Sequence, residues 1–336
     1  MELPPRTSLA YENGVVRFID QRTLPGTPRV VETIHYRVIE NAIVSLAIRG
    51  APLIGIAAAF GVALEARSSI EDRLIRSRIG KAINRLRATR PTAVNLFAAL
   101  QRMEAVASRT DDDELPVAME ATALSILEDD RQFCNLIADE GVELIPDDAV
   151  ILTICNTGFL ATGGIGTALG VVYRAFDQGK VKRVLVPETR PLLQGSRLTM
   201  WELTQAGIPC RLFPDGAVGA ILRRRVDLAI IGADRISANG DTANKIGSLP
   251  MALACRAFKV PLYVAAPSTT FDYACPSGAS IAIEDRSPDE VTSFRGYSSA
   301  PEGVSVFNPA FDVVEADLIR GFITDKGILH PPYKFA

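Results

Sequence analysis

The sequence predicts an α/β protein in which a smaller, mainly helical N-terminal domain precedes a doubly wound domain with a parallel sheet. Up to about residue 140 the apolar residues recur mostly at helical spacing, whereas from about residue 148 short apolar runs alternate with helical stretches. Strands that helices cover on both faces have such continuous apolar runs. A chain of 336 residues is also long enough for two domains. The predicted domains are residues 1–140 and 141–336.

The first domain begins with two apolar segments on either side of a turn. Val15–Ile19 and Val30–Ile34 flank Pro25-Gly26, which predicts a short antiparallel ribbon. Helical periodicity follows, with breaks at Pro91 and at the acidic run Asp111-Asp112-Asp113, which we interpret as a solvated loop or helix start. The predicted helices are residues 36–48, 53–68, 70–88, 93–108 and 115–139.

The second domain is predicted from five apolar runs that helical stretches separate. Gly166–Gln178 and Leu198–Ala206 are two of these helical stretches. The polar segment Ser287–Ser305 predicts a long loop before a last strand near Val304–Phe307. The five runs are Ala149–Ile154, Arg183–Pro187, Cys210–Phe213, Leu228–Ile231 and Leu262–Ala265.

Composition excludes several classes of function. The 36 Lys and Arg against 39 Asp and Glu give a formal net charge of −3, whereas nucleic-acid binding normally needs a basic excess. The five cysteines include no C-x-x-C pair, and the two histidines, His35 and His330, lie in no metal-ligand or triad pattern. We therefore expect no nucleic-acid partner, no structural zinc or other metal site and no disulfide framework.

The apolar segments indicate a protein that does not enter a membrane. The longest apolar run, Ala51–Leu64, has 14 residues, whereas a helix needs about 20 to span a bilayer. Residues Met1–Arg6 lack the basic-then-apolar layout of a signal peptide. We expect a cytoplasmic protein in which Ala51–Leu64 is a closely packed core helix.

Polar residues follow the apolar runs at the points where ligands bind in open α/β sheets, outside the carboxyl ends of the strands. Cys155-Asn156-Thr157-Gly158 follows the first run and Glu188-Thr189-Arg190-Pro191 the second. Gly232-Ala233-Asp234-Arg235 follows the fourth run, and Ala266-Pro267-Ser268-Thr269 the fifth. Together these segments predict a small-molecule site at one edge of the sheet.

Cys155 and Asp234 are the candidate catalytic residues. Cys155 ends a strand shortly before a helix, and a helix N-terminus favours the reactive thiolate; as an alternative it is a small buried hydrophobe, as free cysteines often are. Asp234 follows an apolar strand, and a carboxyl in apolar surroundings can keep a proton and act as a general acid. A helix cap or an ion pair with Arg235 is the alternative role for Asp234.

Two features indicate a bound phosphate. The Gly-rich stretch Thr162–Gly170 opens a helix, and its free N–H groups are typical of an anion site. The nicotinamide pattern G-x-G-x-x-G fails because Leu169 stands at its third glycine, so a dinucleotide oxidoreductase is the minor alternative. Arg49 and Arg90 lie at helix breaks and can bind a phosphate together or form surface ion pairs.

Several motifs resemble the methylthioribose-1-phosphate isomerase family. The matches follow the family order from about residue 49 to residue 330. One position differs from the family pattern: the family has His directly before its catalytic Cys, where this chain has Ile154. The motifs are Arg49-Gly50-Ala51-Pro52, Arg90-Pro91-Thr92-Ala93-Val94-Asn95-Leu96, Cys155-Asn156-Thr157-Gly158, Glu188-Thr189-Arg190-Pro191, Gln194-Gly195-Ser196-Arg197-Leu198-Thr199, Gly232-Ala233-Asp234-Arg235-Ile236, Asn239-Gly240-Asp241, Asn244-Lys245-Ile246-Gly247 and Asn308-Pro309-Ala310-Phe311-Asp312-Val313.

The resemblance implies a homodimeric aldose–ketose isomerase of methionine salvage with a Rossmann-like C-terminal domain, a sugar phosphate substrate and no cofactor. It implies Cys155 and Asp234 as the catalytic pair. Related substrates, 5-deoxyribose 1-phosphate and ribose 1,5-bisphosphate, remain alternatives, as does a non-catalytic role like that of the regulatory subunits of the eukaryotic initiation-factor exchange factor. The implied substrate contacts are Arg49, Gly50, Ala51, Arg90, Gln194, Asn244 and Lys245.

Overall fold

The computed structural model describes residues 3–70, 73–90, 94–294 and 296–333. These residues divide into two units. One unit contains the described residues up to Leu136 together with Thr157–Gly170, and the other contains Ile137–Asn156 and the described residues from Val171 onward. Residues 157–170, which lie in the second of the predicted domains, thus group with the first unit.

The first unit begins with a three-stranded antiparallel sheet in the order β1-β2-β3. The predicted ribbon corresponds to β2 (Val15–Ile19) and β3 (Val30–Thr33), and β1 (Leu9–Glu12) is an additional strand. Asn13 and Gly14 join β1 to β2 with φ values of 52° and 83°. An Asn-Gly pair suits such a two-residue hairpin turn because both residues adopt positive φ at little cost.

The helices of the first unit share one apolar core with the apolar helix α2 (Ala51–Ser68). The small residues of α2 allow close approach, since a Cβ on Gly55 would lie 2.6 Å from the backbone oxygen of Asn95 in α4 (Val94–Ala107). Within the described residues α2 is also the one helix long and apolar enough to cross a membrane, but 72% of it is buried inside the structure, as a core helix would be. Residues 71, 72 and 93 of the predicted helices lie outside the described residues. The helices are α1 (Tyr36–Val44), α2 (Ala51–Ser68), α3 (Ile75–Arg87), α4 (Val94–Ala107) and α5 (Leu115–Val142).

The second unit is built on a seven-stranded sheet in the order β16-β15-β10-β7-β4-β5-β6. All neighbouring strands pair in parallel except β15 and β16. Its strands are β4 (Ala149–Leu152), β5 (Val181–Pro187), β6 (Cys210–Phe213), β7 (Leu228–Ile231), β10 (Leu262–Ala265), β15 (Gly321–Thr324) and β16 (Gly327–Leu329). The predicted α/β class, with a Rossmann-like parallel sheet after a mainly helical region, is confirmed.

Two smaller sheets and several helices complete this part of the chain. The strands of a four-stranded sheet, in the order β11-β8-β9-β14, are β8 (Arg235–Ser237), β9 (Thr242–Lys245), β11 (Phe271–Asp272) and β14 (Phe311–Val314). A short hairpin pairs β12 (Ser293–Phe294) with β13 (Tyr297–Ser298). The helices are α6 (Ala168–Asp177), α7 (Met200–Gln205), which a π-helix over Gly195–Thr199 precedes, α8 (Val218–Leu222), α9 (Ser248–Ala257) and α10 (Asp289–Thr292).

One predicted strand is wrong. Val304–Phe307 forms no strand, and the last strands within the described residues are β14, β15 and β16. The apolar residues of this segment do not mark a buried strand, because the Phe307 side chain is 85% exposed.

Candidate active site

The strand order places the topological switch point of the sheet between β4 and β7. When the parallel strands are numbered in chain order, their order across the sheet is 3-2-1-4-5-6, and β4 and β7 are strands 1 and 4. The chain leaves these two neighbours toward opposite sides of the sheet, and ligands bind at such a switch point. Cys155 and Asp234 each follow their strand by three residues, so both lie beyond the carboxyl ends of adjacent strands.

Cys155 is held in a strained backbone conformation. Its φ is +61°, and a left-handed conformation costs a non-glycine residue roughly 1–2 kcal/mol. The Cys155 N–H donates to Thr189 Oγ1 at 3.1 Å, and the Cys155 carbonyl accepts a hydrogen bond from Thr199 Oγ1. The residue is 9% exposed. Such strain persists only where the surroundings fix it, and here both peptide groups of Cys155 have side-chain partners.

A buried polar cluster lies next to this segment. Asn156 Nδ2 donates to Glu202 Oε1 at 2.6 Å and to Thr199 Oγ1 at 3.3 Å, and the Tyr173 hydroxyl donates to Glu202 Oε2 at 2.8 Å. All four side chains are buried, and Glu202 is 0% exposed. The roles of Thr199, Glu202 and Tyr173 were not predicted from the sequence. Thr199 ends one of the family motifs, but no local pattern marks Glu202 or Tyr173.

The loop after β5 is fixed by a carboxylate. Asp215 accepts the N–H groups of Thr189 and Arg190, each at 2.7 Å. Gly195 must be glycine, since a Cβ there would lie 1.9 Å from the backbone oxygen of Pro187. Gln194 directly precedes it and is buried, and its Oε1 accepts no hydrogen bond within the described part of the chain. A bound hydroxyl could satisfy this amide oxygen.

Asp234 lies at the start of the β8–β9 hairpin. Its N–H donates to the Ala243 carbonyl at 2.9 Å, so backbone pairing holds it next to Asn244. Its side chain is half-buried. The neighbouring Arg235 forms an ion pair with Asp272, with 3.7 Å between Nε and Oδ2.

Asn244 and Lys245, both in β9, lead into α9. Asn244 Nδ2 donates to Ser248 Oγ at 2.8 Å, and Lys245 Nζ donates to the Ala310 carbonyl at 3.0 Å. Lys245 Nζ also lies 4.9 Å from the centre of the Phe311 ring. The amide and the ammonium group thus have defined positions four and three residues before the helix.

Asp312 binds the N-terminus of α9. Its Oδ2 accepts the Gly247 N–H at 2.8 Å, while its buried Oδ1 accepts no hydrogen bond from the described residues. Burial raises the pKa of Asp312 to about 6. A Cβ on Gly247 would lie 3.2 Å from Ile154 Cδ1, so the residue that replaces the expected His packs against this helix start.

The remaining candidate residues lie in the first unit. Gly50 has a φ of +99°, and a Cβ there would lie 2.5 Å from the Ala161 backbone, so only glycine fits. Arg49 and Ala51 flank it, and Ala51 begins α2. Arg90 lies three residues beyond α3, and Pro91, Thr92 and Ala93 lie outside the described residues.

The Gly-rich stretch binds an internal carboxylate. Asp130 Oδ2 accepts the Gly163 N–H at 2.6 Å, and burial raises the pKa of Asp130 to about 6. The prediction of a phosphate site is therefore wrong at Gly163, because a carboxylate of the chain already occupies that donor. Among the described residues no three His, Cys, Asp or Glu side chains cluster so that they could hold a metal ion.

Comparison with known proteins shows the family of this chain. The initiation factor 2 subunit family model matches residues 47–331. Methylthioribose-1-phosphate isomerases from Thermoanaerobacter sp. (strain X514) and Heliobacterium modesticaldum are 46% and 48% identical over 333 and 332 residues, and each match covers 97% of this chain and 96% of the relative.

Two solved structures are similar over nearly the whole chain. The 5-methylthioribose 1-phosphate isomerase of Pyrococcus horikoshii OT3 has a TM-score of 0.91 and 39% identity, and the match covers 99% of this chain and 94% of that chain. The translation initiation factor eIF-2B, subunit delta, of A. fulgidus has a TM-score of 0.87 and 38% identity, and the match covers 97% of this chain and 96% of that chain.

Proposed function

The chain belongs to the methylthioribose-1-phosphate isomerase family within the initiation factor 2 subunit family, and from this membership we propose that it converts 5-methylthioribose 1-phosphate to 5-methylthioribulose 1-phosphate in methionine salvage. The observation that carries the proposal is the pair of reactive groups at the switch point: a thiol follows β4 and a carboxyl follows β7, its neighbour in the sheet. Identities of 44–48% over nearly the full chain support it.

Asp234 is the proposed general acid. A sugar with a phosphate on its anomeric carbon cannot open freely to a carbonyl, so the ring oxygen must gain a proton as its bond to C1 breaks. A half-buried carboxyl at the end of β7 suits this role because a carboxyl group held beside the substrate can transfer a proton to it.

Cys155 is the proposed partner in hydrogen transfer. The hydrogen on C2 moves to C1, and the C2 hydroxyl becomes the carbonyl as it loses its proton. Cys155 acts either as the base that forms an enolate or as the group that shapes the transition state of a hydride shift. Since both electrons and hydrogen stay within the substrate, this reaction needs no redox cofactor.

The phosphate and hydroxyl contacts are proposed for the residues that the family resemblance implies. Arg49 and Arg90 suit the phosphate because a guanidinium can donate two parallel hydrogen bonds to it. The buried acceptor of Gln194 suits a sugar hydroxyl. The full proposed set of substrate contacts is Arg49, Gly50, Ala51, Arg90, Gln194, Asn244 and Lys245.

Substrate assays test the proposal. Purified protein is incubated separately with 5-methylthioribose 1-phosphate, 5-deoxyribose 1-phosphate and ribose 1,5-bisphosphate, and the ketose product is followed by NMR. We expect the highest kcat/KM with the methylthio sugar. A higher kcat/KM with one of the other two sugars would identify that sugar as the substrate instead. If none of the three sugars gave a ketose, the proposed isomerase activity would be contradicted. In that case a regulatory role would be the better proposal, since the eIF-2B delta structure is also similar over nearly the whole chain.

We also propose a homodimer in the cytoplasm. Five free cysteines are compatible with a reducing compartment. Light scattering after gel filtration should give twice the chain mass of 36.2 kDa, and a monomer mass would contradict the dimer. Fractionation of the source cells should place the protein in the cytosol.

A further inference from the structure

A directed chain of hydrogen bonds leads to the backbone of Cys155. The Tyr173 hydroxyl and the Asn156 amide each donate to a different oxygen of Glu202, at 2.8 and 2.6 Å. The second N–H of Asn156 points to Thr199 Oγ1, and the Thr199 hydroxyl donates to the Cys155 carbonyl. The chain therefore begins at a carboxylate and ends at the strained residue.

The donors and acceptors in this chain fix the direction of its bonds. The Asn156 NH₂ group only donates, so it donates both to Glu202 and to Thr199 Oγ1. The Cys155 carbonyl only accepts, so the hydrogen of the Thr199 hydroxyl points to it. Burying a carboxyl group is costly unless hydrogen bonds satisfy it, and here both oxygens of Glu202 have partners.

A second anchor holds the other side of Cys155. Its N–H donates to Thr189 Oγ1, and Asp215 in turn holds the Thr189 N–H. Thr199 is the last residue of the π-helix, an irregularity that is frequent at functional sites. Neither peptide group of Cys155 can rotate without losing a buried hydrogen bond.

We propose that Thr199 and Glu202 are positioning residues that aim the Cys155 thiol. The inference rests on the proposed role of Cys155, and neither residue is among the substrate contacts proposed above. Loss of either side chain should let the segment relax from its left-handed conformation and turn the thiol away from its working direction.

A set of matched variants tests this inference. Thr199→Val keeps the shape but removes the hydroxyl, and Thr199→Ser restores it. Thr153→Val is the control, since Thr153 is buried in the same segment and its hydroxyl has no hydrogen-bond partner within the described residues. Glu202→Gln replaces one acceptor with a donor, so either two donors face each other at Asn156 or the Tyr173 hydroxyl must turn to accept a hydrogen bond.

Two readouts separate positioning from general stability. The first is the split between kcat and KM; the second is the pH dependence of Cys155 alkylation by iodoacetamide, measured by mass spectrometry of the Cys155 peptide. For Thr199→Val and Glu202→Gln we expect kcat to fall about 10- to 100-fold with KM little changed, as for a small misplacement of a reacting group. Their alkylation profiles should differ from that of the unmodified protein, whereas Thr199→Ser and Thr153→Val should match it.

The inference is overturned if Thr199→Val retains both kcat and the alkylation profile, or if Thr199→Ser is as impaired as Thr199→Val. Circular dichroism checks that each variant is folded, and the three threonine variants decide the question if Glu202→Gln does not fold. Alkylation needs no turnover, so it still tests the positioning of Cys155 if the protein proves not to be an isomerase.

Discussion

The two strand ends at the switch point are built in different ways. After β4, Cys155 adopts a left-handed backbone conformation that hydroxyl groups of Thr189 and Thr199 hold. After β7, Asp234 is held by an ordinary backbone hydrogen bond to Ala243 in a hairpin. The backbone that carries the thiol thus depends on buried side chains from distant segments, whereas strand pairing holds the backbone that carries the carboxyl.

Removal of either reactive group should have the largest effect. We expect Cys155→Ala and Asp234→Asn each to lower kcat at least about 100-fold, the scale of general acid–base assistance. Steady-state kinetics with an NMR or coupled assay measures this loss, and circular dichroism serves as the control for folding. Near-normal turnover in both variants would contradict the proposed mechanism.

A methyl group at Gly195 should damage the β4 side selectively. The Cβ of Gly195→Ala would lie 1.9 Å from the Pro187 backbone oxygen, so the loop after β5 that carries Thr189 must shift. We expect the free energy of unfolding to fall by about 1–3 kcal/mol or more, together with a loss of kcat. Gly219→Ala in α8 is the matched control, because nothing lies within 4 Å of its Cβ position. Equal free energies of unfolding for the two variants, measured by urea denaturation, would contradict the expected steric clash at Gly195.

The free energy of unfolding should depend on pH through a carboxyl group on the β7 side. Asp312, in the strand that pairs with β9, has a pKa raised by burial to about 6, whereas an unfolded Asp titrates near 3.9. Between these values the folded chain binds more protons than the unfolded chain, so the free energy of unfolding falls as pH rises and levels off above about pH 6.

Asp312→Asn should flatten this decline, which urea unfolding at several pH values from about 4 to 7 would measure. Part of the slope should remain in the variant, since the pKa of Asp130 is also raised to about 6. An unchanged slope would mean that Asp312 does not titrate as its burial implies.

A small change at Ile154 should have the smallest effect. Ile154 is buried, and its Cδ1 packs near Gly247 at the start of α9. Ile154→Val should lower the free energy of unfolding by about 0.5–1.5 kcal/mol, measured in urea, with kcat within about twofold. A loss of activity as large as that of Cys155→Ala would show that the packing of this neighbour controls the thiol.

Continuous apolar runs made the parallel strands predictable, because a strand covered on both faces leaves a strong local pattern. Cys210–Phe213, Leu228–Ile231 and Leu262–Ala265 are strands with the predicted bounds. The same reasoning failed at Val304–Phe307, where apolar residues face solvent, and it missed β1, which the Asn13-Gly14 turn signals.

The candidate residues were predictable where they follow a strand, as Cys155 and Asp234 do, since the carboxyl ends of parallel strands share one edge. The polar cluster was not predictable, because Asn156 and Glu202 are 46 residues apart and no local pattern links them. Likewise, nothing near Gly163 in the sequence indicates that Asp130, 33 residues earlier, accepts its N–H.

A crystal structure of Asp234→Asn with 5-methylthioribose 1-phosphate bound would show directly whether the thiol and the carboxyl face one substrate. We expect the sugar beyond the ends of β4 and β7, with the substituted side chain at position 234 next to the ring oxygen and Cys155 Sγ roughly 3–3.5 Å from C1 or C2. A sugar bound elsewhere, or a thiol that faces away from these carbons, would contradict this expectation.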